Sequence, residues 1–472
     1  MKVYDKTIFI FRRDYRLYDN IGLIEALKKS IHVIPIFILT PEQLVHNEYK
    51  SDNAVQFMIE SLNDLDKELK NKGSKLYYFY GKPSVIIKKL LISVKGLDAV
   101  FVNRDYTPYS KKRDLEIEEV CKKKKKAFES YEDSLMHPVG SIRSGSDEIY
   151  VKFTPYFTTA KKVKVNEPIK NNYNNYFKGN IEGEYKGSKK KFYNENEDIS
   201  VHGGRELALK ILSGIKKFSN YNKVRNTLSI PTTRLSAYIK FGCVSIREVY
   251  HKIKDVLGMN NDLIKQLYWR EFYYNIGDAH PELLEKKKNF KENYNKIPWI
   301  TYDKASDKQK KDWKAWTNGT TGFPIVDAAM RQINTIGYME NRARLIVASF
   351  LVKDMFWSPF EGEKYFSQYL VDIDWIVNCA SVGNWGWVSG GSVDTMPFFR
   401  VFSPLSQNLR FDPECIYIKT WIPELKDIPN EHIIEWNKYY NLYPDIKYPK
   451  PMLDHSSSAK KAIEKYKKSL YT

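Results

Sequence analysis

Cysteine is scarce: the 472 residues hold four, Cys121, Cys243, Cys379 and Cys415, far apart and without CxxC spacing. That argues against a disulfide scaffold or a zinc site and fits a reducing compartment. No apolar run approaches the roughly 20 residues that cross a bilayer, and the longest candidate, Val33–Leu39, is strand-sized. The opening Met1-Lys2-Val3-Tyr4-Asp5-Lys6 has neither the apolar core of a signal peptide nor an Arg/Ser-rich transit pattern. An intracellular, soluble protein, cytoplasmic or nuclear and without a membrane partner, is expected. Acid is also in short supply, with 57 Asp and Glu against 76 Lys and Arg, a formal charge of +19. This balance favours a polyanionic partner, most simply nucleic acid. Lysine is plentiful throughout, however, so single lysine runs read equally well as solvated faces.

What is present is enough apolar material for a sizeable core, 42% of residues, spread over a length that suits two to four domains. Residues 6–133 alternate short apolar runs with helix-length segments. The runs are Ile8–Phe11, Val33–Leu39, Leu76–Tyr80, Ala99–Val102 and the weaker Glu129–Tyr131; the segments are Ile21–Lys29, Asn53–Lys72, Lys82–Lys95 and Ser110–Lys126. This pattern predicts a Rossmann-like α/β domain, a parallel sheet covered on both faces. No GxGxxG follows the first strand; the position reads Arg12-Arg13-Asp14-Tyr15-Arg16-Leu17. Residues 160–200, rich in Lys, Asn, Tyr and Gly, keep no period and read as a linker that wraps the surface or is partly mobile. From Gly204 the pattern turns helical, as in Phe323–Ile336, Asn341–Asp354 and Glu361–Val371, and Ser456–Tyr471 is a basic amphipathic helix or tail. The expected division is therefore 1–135, an α/β domain; 136–203, a linker; and 204–472, an all-α domain.

The informative residues concentrate in the helical part. Pro231-Thr232-Thr233-Arg234-Leu235-Ser236 is a hydroxyl-rich run with one arginine. It fits a phosphate site, and equally an N-cap with a surface arginine. Gln266 and Trp269, three apart on a helix, share a face that suits either base recognition or a buried aromatic core. Arg342 and Arg344, two apart, point in different directions, so one can face a groove while the other turns inward. An inward arginine needs a carboxylate, for which Asp372 and Asp374 are the nearest candidates. A surface salt bridge is the alternative, with no function attached. Trp385 and Trp387 sit among small residues in Gly383-Asn384-Trp385-Gly386-Trp387, a setting for exposed indole faces or for plain core packing.

Taken in order, these stretches resemble the photolyase/cryptochrome flavoprotein family from end to end. The resemblance is carried by Phe11–Asn20, Thr232–Ser236, Trp269–Tyr273, Thr321–Gln332, Asn341–Arg344, Pro397–Pro404 and Trp421–Leu425. It implies an amino-terminal antenna domain and a helical domain holding a U-shaped FAD, joined by a long linker. It assigns Tyr221, Thr232, Thr233, Arg234, Leu235 and Ser236 to the flavin phosphates and ribityl chain. It places Arg344, paired with Asp372, against the isoalloxazine, with Asp374 nearby. Asn378 falls beside the redox-active ring nitrogen, although Asn378 to Trp385 is about three residues longer than in typical members. A second, antenna pigment is also implied, a folate or a deazaflavin.

The same resemblance implies light-driven repair of cyclobutane pyrimidine dimers in DNA, by a monomer acting on ultraviolet-damaged strands. Trp269 and Trp387 would wedge the flipped dimer, while Asn341, which lies between cofactor and lesion, and Gln266 would hydrogen-bond its edge. Leu345 stands where the family usually has Met. Arg225 and Arg342 would grip flanking phosphates, with Arg400 on the same DNA-binding face. The (6-4) enzymes use a histidine in the helix beginning near Asn341, whereas no histidine occurs here between His280 and His432. Gln266 stands where cyclobutane-dimer enzymes usually have Glu, so a (6-4) photolyase or a cryptochrome photoreceptor is the alternative. For flavin photoreduction, Trp385 matches the proximal member of a tryptophan relay and Trp299 the distal one. The middle position falls on Pro359, with Trp357 or an aromatic such as Phe360 or Tyr365 as its substitute.

Overall fold

A computed structural model describes residues 2–471. Five strands, β1 (Tyr4–Phe11), β2 (Ser30–Leu39), β3 (Tyr77–Tyr80), β4 (Leu97–Asn103) and β5 (Ala127–Tyr131), form one sheet in the order β3-β2-β1-β4-β5, every pair parallel. The apolar runs mark its middle because helices cover both faces, so β1 from Thr7 onward and nearly all of β4 are buried on both sides. Side-chain caps start the covering helices: Asn20 accepts from Leu23 N–H, and Ser51 from Ala54 N–H.

The stretch expected to be partly mobile is packed instead. Beyond the helix Phe153–Ala160 it holds a short 3-10 turn at Lys190–Phe192, yet it buries Val165, Tyr176, Ile181 and Phe192. Its large apolar side chains anchor it along the sheet domain, where Tyr176 makes a parallel bridge to Val33. A buried charge cluster then joins this half to the helical one. Arg247 donates to Asp19 Oδ2 at 2.8 Å and to Asp133 Oδ1 at 2.9 Å, and Arg16 donates to Asp133 Oδ2 at 2.6 Å. Each of these charges is paired, as burial requires.

In the helical half, the expected helix Asn341–Asp354 is α-helical only through Ser349, and Phe350–Asp354 form a π-turn. Lys353 on that turn is fully buried, donating to Phe398 O at 3.2 Å. Asp354 meets His455 Nδ1 at 2.5 Å, which docks the carboxy-terminal segment as the helix His455–Tyr471. No helix among the described residues is long and apolar enough to cross a membrane.

Candidate active site

The floor of the site is built around the helix Asn341–Ser349. Arg344 turns inward: its Nε donates to Met339 O at 2.7 Å, and its Nη2 reaches both oxygens of Asp372 at 3.0 Å. The Ser236 hydroxyl donates to the same carboxylate at 2.7 Å. Burial alone would lower the Arg344 pKa, but Asp372 and Tyr338 outweigh it and hold the pKa above its usual value. Tyr338 carries two guanidiniums over its ring, Arg234 at 5.2 Å and Arg344 at 5.3 Å.

Asp374 lies next to this pair. It accepts from the Tyr274 hydroxyl at 2.7 Å and from Arg13 Nη2 at 2.6 Å. Burial opposes its ionisation, yet Arg13 and Arg270 hold its carboxyl well below the usual range. Asn378 Oδ1 accepts from Asp374 N–H at 2.7 Å, which fixes the side chain against the start of this turn. The residues between Asn378 and Trp385 form a tight buried loop, pinned by Ala380 N–H on Glu363 at 2.7 Å and Asn384 N–H on Val377 O at 2.8 Å. Lys240 sits behind both aspartates, and burial followed by Arg13 pushes its pKa down to about 7.

The Thr232–Ser236 run meets Arg344 from the other side. Thr232 Oγ1 donates to Glu340 Oε2 at 2.8 Å, and Thr233 Oγ1 accepts from Leu235 N–H at 3.3 Å. Arg234 Nε is buried without a hydrogen-bond acceptor, and Ser236 remains open. Arg234 Nη1 donates to Ser200 O at 3.4 Å, so the donor left over is Nε, and set among hydroxyls it fits the phosphate oxygens of a group such as FAD. Glu340 is the acidic exception in this wall; burial raises its pKa, which weakens its repulsion of an anion. Tyr221 starts a four-residue helix beside Arg225, which also pairs with Asp262 at 3.4 Å.

Above the floor, Asn341 is exposed, while Gln266, Trp269, Leu345 and Trp387 are half-buried. One face of Trp269 is covered by Phe153, with centroids 3.6 Å apart. Trp385, two residues before Trp387 and so on the opposite side of the helix, is buried edge-on to Phe366 at 4.9 Å. Its indole lies so close to Gly362 that a Cβ there would stand 2.2 Å from Cη2, so only glycine fits. Arg342 faces outward and shares a cavity of about 330 Å³ with Arg400, Arg410, Phe402, Phe411 and Gln407, with no carboxylate in its lining. Its Nε donates to Asn226 Oδ1 at 3.2 Å, and burial with Arg410, Arg225 and Arg400 pushes its pKa down to about 10.

The expected tryptophan relay is not one continuous stack. Trp385 meets Phe366, Trp357 packs on Trp313 at 4.7 Å, and Trp299 packs on Phe356 at 4.9 Å in a separate aromatic group. The chain turns at Phe356, with φ +59°, and Pro359 begins the next helix, so Trp357 swings toward Trp313 and Trp316. Tyr365 also joins this group, 5.5 Å from Trp316.

A second cavity, about 550 Å³ and not anticipated from the sequence, lies between the sheet and the helical half. Phe11, Arg12, Thr40 and Arg113 line it at the carboxyl ends of the strands, and Ile373 and Trp375 close it from the helical side. Arg12 Nη2 and Arg113 Nη2 are buried there without partners. Arg12 and Arg13 directly after β1 were the available signal.

Residues 7–172 match the family model for DNA photolyase, and 263–468 match that for the FAD binding domain of DNA photolyase. A deoxyribodipyrimidine photo-lyase of Alkalihalophilus pseudofirmus is 33% identical over 97% of both chains, and that of Escherichia coli (strain K12) is 30% identical over 97% of both. An archaeal photolyase from Sulfolobus tokodaii, solved with two FAD molecules, is 36% identical over 98% of this chain and 100% of that one, with TM-score 0.86. A class III photolyase from Agrobacterium tumefaciens is 28% identical with TM-score 0.87, covering 99% of this chain and 98% of that one. On these grounds the chain belongs to the DNA photolyase family.

Proposed function

We infer that this chain is a deoxyribodipyrimidine photo-lyase, which splits cyclobutane pyrimidine dimers in DNA under light. The observation that carries the reading is the vertical order of the site: a paired Arg344–Asp372 floor bearing Ser236, a mouth of Asn341, Trp269 and Trp387, and an acid-free arginine cavity at its rim. FAD, when bound, supplies the photoexcited electron and receives it back after the ring splits. Thr232, Thr233, Arg234, Leu235, Ser236 and Tyr221 hold its phosphates and ribityl chain, while Arg344, Asp372, Asp374 and Asn378 surround the ring system. Arg344 presents a fixed positive charge that Asp372 keeps oriented, and Asn378 offers an uncharged amide where a carboxylate would repel an anionic ring.

Gln266 and Asn341 hydrogen-bond the flipped bases, Trp269 and Trp387 wedge them, Leu345 lines the pocket, and Arg225, Arg342 and Arg400 take the flanking phosphates. The helix Asn341–Ser349 carries no histidine, which favours cyclobutane dimers over the proton-requiring (6-4) lesion. The cavity between the halves suits an antenna pigment bearing a phosphate, because Arg12 and Arg113 leave guanidinium donors unpaired inside it. The protein works as a monomer on ultraviolet-damaged DNA, with domain limits of 1–135, 136–203 and 204–472. The test is illumination of the reduced, FAD-loaded protein with two defined oligonucleotides, one per lesion type. Restoration of the cyclobutane oligonucleotide alone is expected. Restoration of the (6-4) oligonucleotide alone reassigns the lesion, and failure with both favours the photoreceptor alternative.

A further inference from the structure

Phe153 opens the helix Phe153–Ala160 in the connection between the halves, and it contacts both the Trp269 wall and, through Asp394, the segment that leads away from the Trp387 wall. Its ring lies face to face on the Trp269 indole, centroids 3.6 Å and planes 6° apart. Two rings left to themselves prefer an offset or edge-on arrangement, so the surrounding scaffold holds this near-sandwich in place. Its backbone N–H donates to Asp394 Oδ2 at 3.1 Å. Lys152, at the N-cap, contributes no side-chain cap, so Asp394 supplies an acceptor that the helix start lacks. Asp394 belongs to the segment that follows the Trp387 helix Asn384–Ser389, and it takes φ +45° in the left-handed region. Such a conformation in a non-glycine residue is strained and persists only where neighbours enforce it. Lys291 enforces it from the other side, donating to Gly390 O at 3.0 Å and to Thr395 Oγ1 at 2.5 Å.

We propose that Phe153 and Asp394 are positioning residues of the lesion site: the ring fixes the plane of Trp269, and the tether fixes the spacing between the Trp269 and Trp387 walls. The proposal rests on the reading of those two tryptophans as the lesion wedge. A wedge that is already in place before the bases arrive loses less freedom on binding, which appears as affinity for the dimer rather than for DNA in general.

The experiment measures dissociation constants for a cyclobutane-dimer duplex and for its undamaged twin, together with flavin stoichiometry, on the FAD-loaded protein. Phe153→Leu is expected to cut the damaged-to-undamaged preference about tenfold, with affinity for undamaged duplex and flavin content unchanged, and Phe153→Tyr is expected to restore the preference to within about twofold. An unchanged preference in Phe153→Leu overturns the proposal, as does a loss that Tyr fails to restore. Should Phe153→Leu emerge without flavin, Asp394→Ala decides the matter, since it keeps the ring and cuts the tether: a reduced preference supports the proposal and an unchanged one overturns it. The wild-type preference is the control, and its absence would sink the photolyase reading itself.

Discussion

Arg342 and Arg344 stand two residues apart on one helix and live in opposite surroundings. Arg344 is held by both oxygens of Asp372 and ends with a raised pKa; Arg342 shares its cavity with Arg400 and Arg410, meets an amide oxygen and the Phe411 ring rather than a carboxylate, and has its pKa pushed down to about 10. The difference teaches how one short segment divides its labour. A guanidinium with a carboxylate builds structure, because its charge is already spent. A guanidinium among its own kind keeps an unmet demand for an anion, which under the proposed function a DNA backbone would meet.

The sharpest way to break the contrast is Asp372→Ala, which leaves Arg344 buried and unpaired. It should destabilise the protein by about 3–5 kcal/mol in denaturant unfolding and abolish flavin retention on gel filtration. Acid distinguishes the two sides next. Asp374 has a depressed pKa, so its contribution is complete above the ordinary carboxylate pKa and lost as pH falls below roughly 4, by about 1.4 kcal/mol per unit. The stability gap between wild type and Asp374→Asn should therefore be widest near neutrality and shrink by pH 3. The arginine cavity, which holds no carboxylate, should not contribute to that slope. Arg342→Ala is expected to weaken duplex binding about tenfold and to reduce the slope of log affinity against log salt by about 1, with unfolding unchanged. Smallest of all, Arg410→Gln should relieve like-charge repulsion on Arg342 and raise stability by about 0.5 kcal/mol, read from the shift in denaturant midpoint.

Much of this contrast was legible in the sequence, and the reason is local geometry. Two residues along a helix diverge by about 200°, so one arginine inward and one outward follows from spacing alone. The parallel sheet was equally readable, because strands buried on both faces appear as unbroken apolar runs such as Ile8–Phe11 and Val33–Leu39. What stayed hidden depends on chain separation. Arg13 reaches Asp374 across 361 positions, and nothing in the periodicity of either segment announces the pairing. Phe153 on Trp269 and the cavity beneath Arg12 and Arg113 are of the same kind. Sequence order also does not report the turn at Phe356, which sends Trp357 and Trp299 into different aromatic groups.

The salt bridge from Arg13 to Asp374 has a bearing on engineering. Because a residue from the loop after β1 completes the ionic surroundings of Asp374, in the pocket proposed for the cofactor, the two halves are not interchangeable parts. A chimera that grafts a relative's amino-terminal half onto this carboxy-terminal half inherits a working pocket only when the donor brings an equivalent cation to that loop.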